Sequence, residues 1–69
     1  MSLTKLLKKV MIEMEVTQSE LAHLSGQSQQ NLSNKMLKDN FTIKEFEKLI
    51  HALGCTLEIN VYSPNGKRI

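Results

Sequence analysis

Residues 17–38 read TQSELAHLSGQSQQNLSNKMLK, and their pattern predicts a helix, a tight turn and a second helix. Thr17 suits the cap of the first helix, and Glu20, three residues on, can close a capping box with it. Leu21, Ala22 and Leu24 give that helix a small apolar face. Gly26 stands where the helix must end in a left-handed residue, a conformation glycine adopts at least cost. Ser28 can cap the second helix, which opens with Gln29, Gln30 and Asn31 and carries Leu32 and Met36 on one face. Two short helices joined by about four residues that include a glycine make a helix-turn-helix. Ala22 is small enough for the close crossing of the pair. Helices this short cannot bury enough surface alone, so the flanks must complete the core.

The flanks have the right character. Leu3, Leu6, Leu7, Val10, Met11 and Met14 recur at spacings of three and four, which predicts a helix over residues 3–14 with one apolar stripe. Lys5, Lys8 and Lys9 lie off that stripe and read as a solvated face, with contact to a phosphate backbone as the alternative. After a loop at residues 39–41, Thr42 and Glu45 form a second capping box. The helix they open carries Ile43, Phe46, Leu49, Ile50 and Leu53 on one face and stops at Gly54. Residues 1–55 are therefore expected to form one four-helix bundle, the size of core that a chain of 69 residues can support.

The tail, residues 56–69, changes period. TLEINVY at 56–62 alternates polar and apolar and is rich in β-formers, so a strand is expected. Ser63, Pro64, Asn65 and Gly66 follow as a turn, and Lys67 to Ile69 can begin a returning strand. Leu57, Ile59 and Val61 share one face. A single strand in a helical protein has no partner. Two arrangements answer this. The strand pairs with its copy in a homodimer, through Leu57, Ile59 and Val61, or it folds back as a short hairpin that leaves most of it unpaired.

The run T-Q-x-E-L-A-x-x-x-G-x-S-Q-Q-x-L-S resembles the Cro/repressor helix-turn-helix family, to which the phage lambda repressor belongs. Thr17, Gln18, Leu21, Ala22, Gly26, Ser28, Gln29 and Leu32 all fall in register, and the likeness extends roughly over residues 3–57. One position departs: Lys35 stands where the family usually has a branched aliphatic, which leaves Met36 and Leu37 to take over its packing. The resemblance implies a mainly α, lambda repressor-like four-helix bundle, here with a C-terminal β-strand. It also implies a sequence-specific DNA-binding transcriptional regulator, a repressor by expectation, with double-stranded DNA as partner.

In that family the second motif helix enters the major groove with its first residues toward the bases. Gln29, Gln30, Ser33 and Asn34 are the expected base contacts. Gln and Asn side chains can each make a bidentate pair with N6 and N7 of adenine. The resemblance makes Gln18 a phosphate contact that also supports Gln29. Thr17, Ser28, Asn31, Lys35, Lys38 and Asn40 are further expected phosphate contacts. The net charge of +2 is small, but no acidic residue occurs between Glu20 and Asp39, so a polyanion meets no repulsion there.

Other chemistries find little support. Cys55 is the single cysteine, which excludes an internal disulfide and suits a cytoplasmic protein. His23 and His51 do not stand at ligand spacing with it, so no metal is expected, and no cofactor. Three glycines make no phosphate-cradling loop and no nucleophile–base pair is spaced for catalysis, so no enzyme is expected. No run of about 18 apolar residues predicts a membrane span. The expectation is a homodimer on an inverted-repeat operator. The alternatives are an antitoxin-type regulator that also binds a toxin protein, and a helix-turn-helix fold used only for protein interaction.

Overall fold

Four helices follow one another in the computed structural model, which describes residues 2–69. Met1, the first residue of the expected bundle, lies outside them. The helices are α1 (Leu3–Met14), α2 (Gln18–Leu24), α3 (Gln29–Lys38) and α4 (Ile43–Ala52). Each start is made by a hydroxyl. The side chains of Ser2, Thr17, Ser28 and Thr42 accept from the backbone N–H three residues on. Thr17 with Glu20 and Thr42 with Glu45 complete reciprocal capping boxes, which satisfy two of the orphan donors at each helix start.

The core consists of Leu7 and Met11 from α1, Leu21 and Ala22 from α2, Leu32 and Met36 from α3, Phe46, Leu49 and Ile50 from α4, and Leu53 just after it. The chain α2–turn–α3 forms the helix-turn-helix, with α4 packed on α1 and α2. Gly26 at the turn has φ +72°, as its place after α2 requires. Phe41, in the loop after α3, sets its ring edge on Phe46 with centroids 6.1 Å apart.

Thr4 is a buried polar residue on the core side of α1. Its Oγ1 donates to the Met36 carbonyl at 2.8 Å, and its N–H donates to Asp39 Oδ1 at 2.9 Å. Asp39 ends α3 in the left-handed region with φ 52°. That conformation is costly for a residue with a Cβ, and short polar side chains tolerate it best. Here the carboxylate is positioned to cap the first turn of α1. The start of α1 and the end of α3 are thus tied together.

Leu3 and Val10 of the expected apolar stripes are half-buried, and four more residues lie open to solvent. Leu6, Met14, Leu24 and Ile43 are all exposed, Leu24 by 56%. The bundle is too small to cover a whole stripe, and α2 has only seven residues. At the departure from the family pattern, Met36 alone replaces the missing aliphatic. It is buried, whereas Leu37 is 86% exposed.

The tail is extended but carries little ladder. Gly66 N–H donates to the Ser63 carbonyl, which closes the expected turn with Pro64 second and Gly66 fourth. Ser63 N–H donates to Lys67 and Ile69 N–H to Val61, with Tyr62 opposite Arg68 in an antiparallel bridge. The short intrachain hairpin therefore forms, and the long strand does not form within one chain. Among the described residues, no backbone hydrogen bond involves residues 56–60. Leu57 packs against the core, but Ile59 and Val61 are 60% and 59% exposed, so the expected apolar face covers the bundle only at its first residue.

Candidate nucleic-acid interface

Helix α3 divides its residues cleanly. Leu32 and Met36 enter the core, while Gln29, Gln30, Ser33 and Asn34 are all exposed on the outer surface. The four expected base contacts are therefore brought together on one helix. Gln30 Nε2 donates to Asn34 Oδ1 at 3.2 Å. This uses one of two donors on Gln30 and leaves its carbonyl and second N–H free. Gln30 keeps the donor–acceptor pair that adenine requires, with Asn34 bracing its orientation.

Gln18, the first residue of α2, is half-buried and lines a depression with Lys8, Ser33, Met36 and Leu37. It therefore sits beside the outer face of α3, between α1 and α3. Lys8 from α1 joins it there as a cation that the motif does not contain. Only the exposure of Lys8 off the α1 stripe hinted at this.

A second depression lies on the α4 side. Gln27, Asn31, Lys35, Glu45 and Lys48 line it, around Phe41 and Leu49. Asn31 Nδ2 donates to Gln27 Oε1 at 2.8 Å, and Gln27 Nε2 donates to Ser25 Oγ at 3.0 Å. Asn31 is thereby fixed to the turn of the motif. Lys35 is half-buried and pairs with Glu45 Oε2 at 2.9 Å. Its charge is shared with a carboxylate, in contrast to the free lysine that the sequence pattern suggests. Among the described residues, Lys38 makes no ion pair and is exposed, as is Asn40 in the following loop. Thr17 and Ser28 are exposed caps whose oxygens accept from Glu20 and Asn31 N–H, and the Ser28 hydroxyl proton is left available to a phosphate oxygen.

Carboxylates at the border of this surface are tied down. The Thr17 backbone N–H, with its hydroxyl, holds the Glu20 carboxyl below its usual range. The Thr4 N–H does the same for Asp39, with the Ser2 hydroxyl assisting. The Lys35 ammonium, then Thr42, lowers Glu45. These three negative charges thus each have their own donor, which weakens their field toward an approaching polyanion.

The chain matches the Cro/C1-type HTH DNA-binding domain over residues 6–64. It belongs to that family, and it is a DNA-binding transcription regulator whose partner is DNA. Searches of the curated proteins and of the solved structures found no match. No helix is long and apolar enough to cross a membrane, and no group of three metal-ligating side chains occurs among the described residues.

Proposed function

We propose that this protein is a repressor that reads an inverted-repeat operator as a homodimer in the cytoplasm, by binding alone and without enzymatic activity. The observation that carries the reading is the outer face of α3. Gln29, Gln30, Ser33 and Asn34 stand exposed there, unused by the core. Amides in such a position are matched to base edges, whereas Gln18, Thr17, Ser28, Asn31, Lys38 and Asn40 surround them as backbone contacts. Lys35 belongs to this group with its charge reduced by Glu45.

The tail supports the dimer. Residues 56–60 present unpaired backbone beside an apolar groove that Leu3, Leu6, Ile43, Phe46, Leu57 and Ile59 line. A second copy satisfies both. Its antiparallel strand pairs the open edge, and its Ile59 and Val61 cover the exposed leucine and isoleucines around the groove. The symmetry of such a pair is that of an inverted repeat, with recognition helices about one DNA turn, roughly 34 Å, apart.

Selection of bound sequences from a random DNA pool tests the reading. The expected product is an inverted repeat. Gln29→Ala and Gln30→Ala should each weaken binding to it by about 1–3 kcal/mol while binding to random DNA hardly changes. A pool that yields no shared sequence, or mutants that bind the selected site as the parent does, would refute it.

A further inference from the structure

Leu37 is 86% exposed, and nothing in its own chain explains why a leucine stands there. It follows Gln30 by seven positions, Ser33 by four and Asn34 by three, so it continues their face of α3. It also lines the depression that holds Gln18, Ser33 and Lys8. The residue is therefore an apolar end to a row that is otherwise all amide and hydroxyl. The core does not need it, because Met36 fills the neighbouring inward position.

The major groove offers one apolar group to such a side chain. Every base edge there presents donors and acceptors, and only thymine adds a C5-methyl. Resting on the DNA-reading function above, we propose that Leu37 is a specificity-determining residue that packs on a thymine methyl toward the outer end of each half-site. The helix rise places the two contacts apart. Seven residues at 1.5 Å carry Leu37 roughly 10 Å along α3 from Gln30, which corresponds to about three base-pair steps. The methyl it reads thus lies about three pairs from the base that Gln30 reads.

The test uses the full chain and the operator obtained by selection. Each thymine is replaced in turn by deoxyuridine, which removes the methyl and leaves every hydrogen-bonding group. Affinity is read by fluorescence anisotropy. One thymine per half-site, about three pairs from the position that Gln30→Ala relaxes, should lose about fourfold in affinity, the ratio for one buried methyl-sized group. Leu37→Ala should itself weaken operator binding, spare random DNA and abolish the difference between thymine and uracil at that position. Leu37→Met should keep the difference. The proposal is overturned if Leu37→Ala binds the operator as the parent does. It is also overturned if Leu37→Ala weakens binding but stays as sensitive to the missing methyl as the parent, which would assign Leu37 to a protein contact. Gln29→Ala separates the two levels of reading. Loss with Gln29→Ala but none with Leu37→Ala sinks this inference alone, whereas no loss with either sinks the operator reading as well.

Discussion

The Lys35 ammonium lies 2.9 Å from Glu45 Oε2, and this pair joins α3 to α4 across the loop between them. Glu45 meanwhile caps α4 with its other oxygen, which accepts from the Thr42 N–H at 3.1 Å. One carboxylate thus serves the start of one helix and restrains a cation on another.

The salt dependence of binding should reveal that restraint. A lysine that neutralises a phosphate contributes about one to the slope of log affinity against log salt. Lys38→Ala should lower the slope by about that amount. Lys35→Ala should lower it by clearly less. Glu45→Gln should steepen it and strengthen binding to random DNA, because it removes a negative charge and frees Lys35. Titrations at several salt concentrations measure all three. Equal losses for the two lysines would mean that the ion pair opens freely when DNA binds.

Acid should act on the tie between α1 and α3. Asp39 has its pKa lowered from 3.8 chiefly by the Thr4 N–H. A carboxyl depressed in the folded state binds fewer protons there than in the unfolded chain, so its stabilisation is complete above 3.8 and disappears as pH falls through the lowered value. Glu20 and Glu45, lowered from 4.5, add to the same acid limb. Asp39→Asn should reduce stability at neutral pH and flatten that limb. Asparagine tolerates the left-handed backbone, so the change isolates the charge. Urea unfolding at a series of pH values gives the answer, and an unaltered acid limb in the mutant would assign the loss to other carboxyls.

The turn of the motif can be tested through its backbone. A Cβ at Gly26 would meet nothing within 4 Å, so space is not what demands glycine there. The cost of Gly26→Ala should be the conformational one alone, about 1–2 kcal/mol for a left-handed residue. Thermal unfolding should register this as a drop of roughly 4–8 °C per kcal/mol. Gly26→Asn should cost less than Gly26→Ala, and a reversal of that order would contradict the assignment.

Ending the chain after Leu57 should separate fold from assembly. Leu57 packs against the core and stays, whereas the open strand edge is removed. The shortened protein should keep its helical circular dichroism, sediment as a monomer at micromolar concentration and lose most of its operator affinity. A shortened chain that still dimerises, or a full chain that is monomeric under the same conditions, would place the interface elsewhere or remove it.

Local chemistry made most of the fold legible. Hydroxyl caps and glycine stops are decided by neighbours three or four residues away, and α1 begins and ends where the leucine–methionine spacing says. Burial was less legible. Leu6 and Leu7 look alike in the sequence, yet Leu7 is fully buried and Leu6 is 39% exposed, because coverage depends on what other helices reach. The row Gln29, Gln30, Ser33 and Asn34 could be read from helical period and register. The pairing of Lys35 with Glu45 could not, since it joins two helices across a loop whose path the sequence does not reveal. The tail shows the same limit. Its alternation was visible, but an alternating segment states only which side is apolar and leaves open what will pair with its edge.

The bond from Thr4 to Asp39 joins residues 35 positions apart. That separation sets an order of events as the chain folds. The turn between α2 and α3 closes over a few residues, whereas the far end of α3 is tied to the amino end of the chain, a much larger loop. Closing the larger loop costs more chain entropy and comes later. In a refolding experiment the Thr4 amide should therefore gain protection from hydrogen exchange later than the amides of the turn between α2 and α3.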